Sequence, residues 1–256
     1  MKSSRIRCIS LIVILLNYIS CNKIQSTSKV ISPAEIKQTT SVSSIKEVDN
    51  ISIEKKNGLI FYFPKYNTIE YAYEDMPTPI DDNILFCCSA AFTGDFLEEF
   101  RHSNIAGNHI SKGVTYRGFT CGKNSGYFEW RNDNTWSFIL GKRPKENLGN
   151  AYSSFEQVLI IYDGTKCSKQ AQKPTSSNNY RVLAEYNGKV CIIDSDGVSN
   201  YTSFLDNLIN SGVKHALYLD MGKGWNFSYY RANDNSINYI HEYRIKYTTN
   251  WIVFKK

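Results

Sequence analysis

The sequence predicts an α+β fold: a single domain on a mixed, largely antiparallel sheet with a few packed helices. Three observations predict it. Tyr, Phe, Ile and Val gather in short runs bounded by Gly, Asn, Asp and Pro, which is strand chemistry with turn punctuation. An Asn-Gly pair separates two of these runs, as in a tight hairpin. One polar-flanked segment carries a helical apolar face. The chain's 256 residues suffice for a substantial core in one large domain or two small ones.

Taken in order, residues 1–20 place Lys2, Arg5 and Arg7 before the apolar run "ISLIVILLNYI", too short and too weakly flanked to span a membrane stably. This is the pattern of a secretory signal. It ends at "YISC", which resembles a bacterial lipobox with Tyr18 in place of the usual leucine. That reading implies cleavage before Cys21, lipidation of its thiol, and a bacterial envelope protein anchored to a membrane; a plain signal peptide cut nearby is the alternative. Residues 21–50, rich in Ser, Thr, Lys and Gln without aromatics, read as a flexible tether, and 51–256 as the folded domain.

Within the domain the strand-like runs are "GLIFYFP", "TIEYAYE", "NILFCCSAAF", "GVTYRGFTC", "GYFEWR", "TWSFILG", "QVLIIYDG", "YRVLAEYNGKVCIID", "HALYLD" and "TNWIVFKK". Asn187 and Gly188 both tolerate positive φ and mark a hairpin. Thr202 suits a helix cap ahead of the apolar face Phe204, Leu205, Leu208 and Ile209, with Gly212 past its end. A second helix is expected over "GDFLEEFRHS".

Charge and cysteine content narrow the function. Without residues 1–20 the chain keeps 27 basic against 24 acidic residues, a net +3, and no long Lys/Arg cluster. That argues against nucleic acid as a partner, since such affinity comes from phosphate neutralisation. Five cysteines remain beyond Cys21: Cys87, Cys88, Cys121, Cys167 and Cys191. Adjacent Cys87 and Cys88 point to opposite faces of a strand, so a bond between them is not expected. Paired zinc spacing is absent, and no motif calls for a metal or a cofactor.

The segment "ALYLDMGKGWNFSYYR", residues 216–231, carries the chemistry. An acid at the end of an apolar strand needs donors or a cation to hold its charge. Gly222 and Gly224 allow close backbone approach to an anion or ligand. A turn in which Asp220 caps its own loop is the alternative. "ILFCCSAAFTGDFLEEF" shows a similar strand, glycine and acid order.

"HALYLDMGKGW", following the helix "SFLDNLINSG", resembles the signature of the phosphodiester glycosidase family, whose domain occurs in the lysosomal uncovering enzyme and in bacterial envelope proteins. "SAAFTGDFL" resembles that family's Asn-Gly-Gly-Phe-Phe strand exit, and "RVLAEYNGKVCIID" its Arg-containing hairpin, over about residues 84–254. Met221 and Lys223 replace two of the family's glycines, Trp225 stands near its small hydroxyl residue, and Thr93 and Asp95 flank the retained Gly94.

The resemblance implies hydrolysis of a sugar-1-phosphodiester in a carbohydrate or glycan partner. Asp220 is the first candidate acid and Asp95 the second; Arg181 would hold the phosphate. Thr93, Gly94, Gly222, Gly224, Trp225, Asn226 and Arg231 are further candidate substrate contacts, with Trp225, Tyr229 and Tyr230 as a sugar platform or, for Tyr229 and Phe227, core. Arg231 reads equally as surface charge, and Glu185 as an ion partner of Arg181. His102 and His241 can titrate but lie in no motif. A non-catalytic glycan-binding module on the same scaffold is the rival reading.

Overall fold

A computed structural model describes residues 49–94, 100–122, 125–142, 150–167, 178–222, 226–241 and 249–256. Every ladder between its named strands is antiparallel, and they form two sheets. Sixteen strands, one α-helix and one 3-10 turn are described: β1 (Ile51–Lys56), β2 (Leu59–Pro64), β3 (Thr68–Tyr73), β4 (Ile84–Ser89), β5 (His109–Ser111), β6 (Val114–Tyr116), β7 (Ser125–Arg131) and β8 (Trp136–Leu140) make up the first half. The second half holds β9 (Ala151–Tyr162), β10 (Thr165–Lys166), β11 (Arg181–Tyr186), β12 (Lys189–Ser195), α1 (Tyr201–Asn210), β13 (His215–Tyr218), β14 (Ser228–Arg231), β15 (Ile237–His241) and β16 (Asn250–Lys255).

The larger sheet has 11 strands in the order β1-β2-β12-β11-β13-β9-β5-β6, with β10 and the β7–β8 hairpin pairing onto β9. The smaller runs β15-β14-β4-β16-β3. Strand alternation sorts the apolar residues onto distinct faces. Ile252 and Phe254 of β16 join Tyr62, Leu183, Leu217 and Phe155 in a core between the sheets. Trp251 and Val253, from the same strand, join Tyr229 and Cys87 on the other face of the smaller sheet.

Two-residue turns set the register. Asn187 and Gly188 both take positive φ (50° and 68°), so Tyr186 pairs with Lys189, as the Asn-Gly signal predicts. Asn57 and Gly58 do the same between β1 and β2.

Helix α1 packs Phe204, Leu205 and Leu208 against Phe61, Val182 and Ile193 on the far face of the larger sheet. Each such side chain, fully buried, contributes roughly 1.5–3 kcal/mol. Its cap is Asn200 rather than the expected Thr202: the Asn200 carboxamide accepts from the Ser203 N–H at 2.8 Å. At the other end Gly212 (φ 85°) donates to the Ile209 carbonyl and Val213 to Leu208, which closes the last turn in a Schellman arrangement.

The second expected helix, residues 94–103, falls partly on residues 95–99, outside the described residues; of the remainder, His102 and Ser103 begin a 3-10 turn, His102–Asn104. Of "GVTYRGFTC" only Val114–Tyr116 is strand. The five cysteines are all free thiols, four of them buried. Burial pushes the Cys88 thiol up to about 12, so it stays protonated.

Candidate functional site

The two echoing segments meet in space. Strand β4 belongs to the smaller sheet and β13 to the larger, and their exits are joined where the Asp220 N–H donates to the Ala90 carbonyl at 3.0 Å. Asn250, wholly buried at the start of β16, fixes the β4 exit from the other side. Its carboxamide accepts from the Ala91 N–H at 2.7 Å and donates to the Ala91 carbonyl at 3.0 Å. On the β13 side the Leu219 N–H donates to the Arg181 carbonyl at 3.0 Å.

Between these anchors sits the Asp220 carboxylate, 7% exposed. The Gly222 N–H donates to Oδ1 at 3.0 Å, and the Thr93 backbone N–H also stabilises the charge. Burial outweighs both donors and raises the Asp220 carboxyl to about 6. Thr93 and Gly94 are half-buried and Gly222 is exposed, so the acid lies just beneath the surface. At Gly94 an added Cβ would stand 2.5 Å from Asn104 Oδ1; the glycine is what lets the Asn104 side chain close over this exit. The Gly94 N–H donates to the Asn104 carbonyl at 2.8 Å, and the Thr93 and Thr249 hydroxyls lie 3.5 Å apart.

The other expected site residues divide sharply. Arg181 is wholly buried, and its Nε and Nη2 each donate to Asp194 at 2.6 Å. That bidentate pair commits the guanidinium to the interior. Glu185 is not its partner; it faces Lys214 at 3.6 Å and His215 at 3.5 Å. Arg231, 3% exposed, is also not surface charge. It donates to the carbonyls of Ile84, Pro79, Asp81 and Asn235 and lies 3.3 Å from Asp82, clamping the loop before β4.

Phe227 and Tyr229 are core, the Tyr229 hydroxyl donating to the Pro77 carbonyl at 3.0 Å. Tyr230 lies half-buried against Tyr62, and Asn226 is half-buried. Asp95, Lys223, Gly224, Trp225 and the lipidation candidate Cys21 lie outside the described residues.

A histidine pair that no sequence motif marks stands near the same strand ends. His102 Nδ1 is 2.9 Å from His109 Nε2, and His109 Nδ1 is 3.3 Å from the Gly107 carbonyl. A carbonyl only accepts, so the arrangement that satisfies both bonds has His109 donating to Gly107 and His102 donating to His109. Tyr116 stacks on His102 at 3.7 Å, and its hydroxyl meets that of Tyr73 at 2.8 Å. Burial lowers His109 to about 4 and also lowers His102, so both rings are neutral near pH 7. His241 is lowered by burial and then by Arg181. Among the described residues no cluster of His, Cys, Asp and Glu is arranged to hold a metal ion.

The fold and this geometry together define a β-rich domain of two antiparallel sheets with a buried, backbone-held carboxylate where two strand exits cross. No protein-family model and no curated protein matches the sequence.

Proposed function

We propose that the domain hydrolyses sugar-1-phosphodiesters in envelope or host-derived glycans, with Asp220 as the acid–base residue, and that it works at a bacterial cell envelope, tethered through a lipid on Cys21. One observation carries the reading. Asp220, the acid at the exit of the family-like "HALYLD" strand, is buried, held by two backbone donors and raised to about 6. A carboxyl of that kind exchanges a proton near neutral pH. Phosphate is a good leaving group and needs little protonation, so one such carboxyl can do much of the work, although glycosidases usually employ two. Asp95 is the candidate second acid.

A second reading, a non-catalytic glycan-binding module, is favoured by the engagement of Arg181 and Arg231 in the interior, since neither presents its charge to a ligand there. One assay separates the two. A panel of sugar-1-phosphates esterified with methanol is incubated with the wild-type chain and with Asp220→Asn, and free sugar is measured. Hydrolysis predicts release by the wild type and a loss of about 10²–10⁴-fold in the variant. No release across the panel, or undiminished release by Asp220→Asn, overturns it.

A further inference from the structure

A cleft of about 490 Å³ opens at the other end of the larger sheet, a size that suits a small ligand. Strand register places it. Lys189, on its rim, pairs with Tyr186 beside the β11–β12 turn, whereas Arg181 pairs with Asp194 at the far end of the same strands, next to Leu219. Strand β11 has six residues, so at about 3.3 Å per residue the two ends are roughly 17–20 Å apart.

The floor of the cleft is aromatic. Trp130 and Trp136 are cross-strand partners in the β7–β8 hairpin, and Tyr66 stands edge-on to Trp130 with ring centroids 5.8 Å apart. Trp130 is buried, while Trp136 and Tyr66 are half-exposed and offer surface to a ligand. Asn67 and Asn134 line the same space, and none of the described lining residues is acidic. Of the two lysines there, Lys65 reaches Asp49 at 2.5 Å, which leaves Lys189 as the uncompensated charge among the described residues.

We propose that this cleft binds an acidic oligosaccharide, one whose sugar rings carry carboxylates. A pyranose ring has an apolar C–H face with slight positive charge, which complements the negative face of an aromatic ring. Its hydroxyls both donate and accept, and so do the carboxamides of Asn67 and Asn134. The carboxylate is met by Lys189 in a charge-assisted hydrogen bond. Nucleic acid fits poorly, because two lysines, one already paired, cannot neutralise a run of phosphates. The site is separate from Asp220 and does not depend on hydrolysis there.

The test uses the full chain, titrated with tetragalacturonate and with neutral cellotetraose, followed by tryptophan fluorescence and calorimetry. Variants are Trp136→Ala, Lys189→Gln and Asp220→Asn. Saturable binding of tetragalacturonate is expected, about tenfold or more weaker for cellotetraose and for each cleft variant, and unchanged in Asp220→Asn. Lys189 has an exposed side chain, so its replacement probes the cleft without disturbing the core. No saturable binding of tetragalacturonate at millimolar concentration overturns the proposal. So does binding that both cleft variants leave intact, or equal affinity for the neutral tetrasaccharide.

Discussion

Asp194 and Asp220 are buried at the same end of the larger sheet, 4% and 7% exposed, and are held in opposite ways. Asp194 takes two hydrogen bonds from Arg181, so its charge is cancelled by a partner that is itself sealed from water. Asp220 has no ion pair among the described residues; backbone N–H groups of Gly222 and Thr93 stabilise it instead. Backbone dipoles hold a charge less firmly than a counter-ion, so burial raises Asp220 to about 6. One arrangement gives a structural pair and the other an acid that can exchange protons.

The sharpest way to break this contrast is to remove the partner. Asp194→Ala leaves the Arg181 guanidinium buried without its ion partner. Losing one member of a buried pair costs about 3–5 kcal/mol. The expected outcome is a large drop in the urea midpoint at unchanged slope. A drop equivalent to less than about 1 kcal/mol would show that the pair is not structural.

Proton linkage sharpens the other half of the comparison. The folded-state pKa of Asp220 is raised, from 3.8 to about 6, so the folded chain binds the extra proton between these values. Its contribution is present at pH 4 and is lost as pH rises through about 6, by roughly 3 kcal/mol at 1.36 kcal/mol per unit. His109 acts with the opposite sign. Its pKa falls from 6.5 to about 4, so the unfolded chain binds the extra proton and stability is lost as pH falls from about 6.5 towards 4. His102, His215 and His241 are lowered in the same direction.

Wild-type stability therefore sums opposing slopes across this window. Asp220→Asn removes the opposing slope and leaves that of the histidines, so stability should climb more steeply from pH 4 to pH 7 than in the wild type. Denaturation curves at half-unit pH steps measure the difference; parallel wild-type and variant profiles would mean that Asp220 does not titrate in this range.

The Arg181–Asp194 pair also shows how far the fold is written in the sequence. Counting outward from the Asn187–Gly188 turn brings residue 181 opposite residue 194, so the ion pair follows from hairpin register alone. The spacing from Arg181 to Glu185 suggests a different partner, but residues four apart on a strand are about 13 Å apart. Strands rich in Tyr, Phe, Ile and Val were legible because their composition is unmistakable. Strand β1, "ISIEKK", lacks that signal, since only Ile51 is buried along it.

Asp220 stood out because an acid interrupts an apolar run just before glycine. Arg231 did not reveal its role, because three of its partner carbonyls lie about 150 residues earlier, on the loop before β4 and at its first residue. The His102–His109 contact likewise depends on the 3-10 turn and the chain returning to β5, which no periodicity encodes.

The smallest expected effect tests whether burial, rather than pairing itself, makes Asp194 matter. Lys166 and Asp206 form an ion pair at 2.5 Å that joins the short strand β10 to helix α1, with side chains 43% and 49% exposed. By distance alone it equals the Arg181–Asp194 contact at 2.6 Å. Water screens the exposed pair, and holding two long side chains together costs entropy, so such pairs contribute about 0–1 kcal/mol. Lys166→Ala should lower the stability read from urea denaturation by no more than about 0.5 kcal/mol, and 1 M salt should erase even that. A loss comparable with that of Asp194→Ala would mean that proximity governs both pairs. A negligible one places the difference in the removal of water from around Arg181, which is also the condition that makes Asp220 an acid.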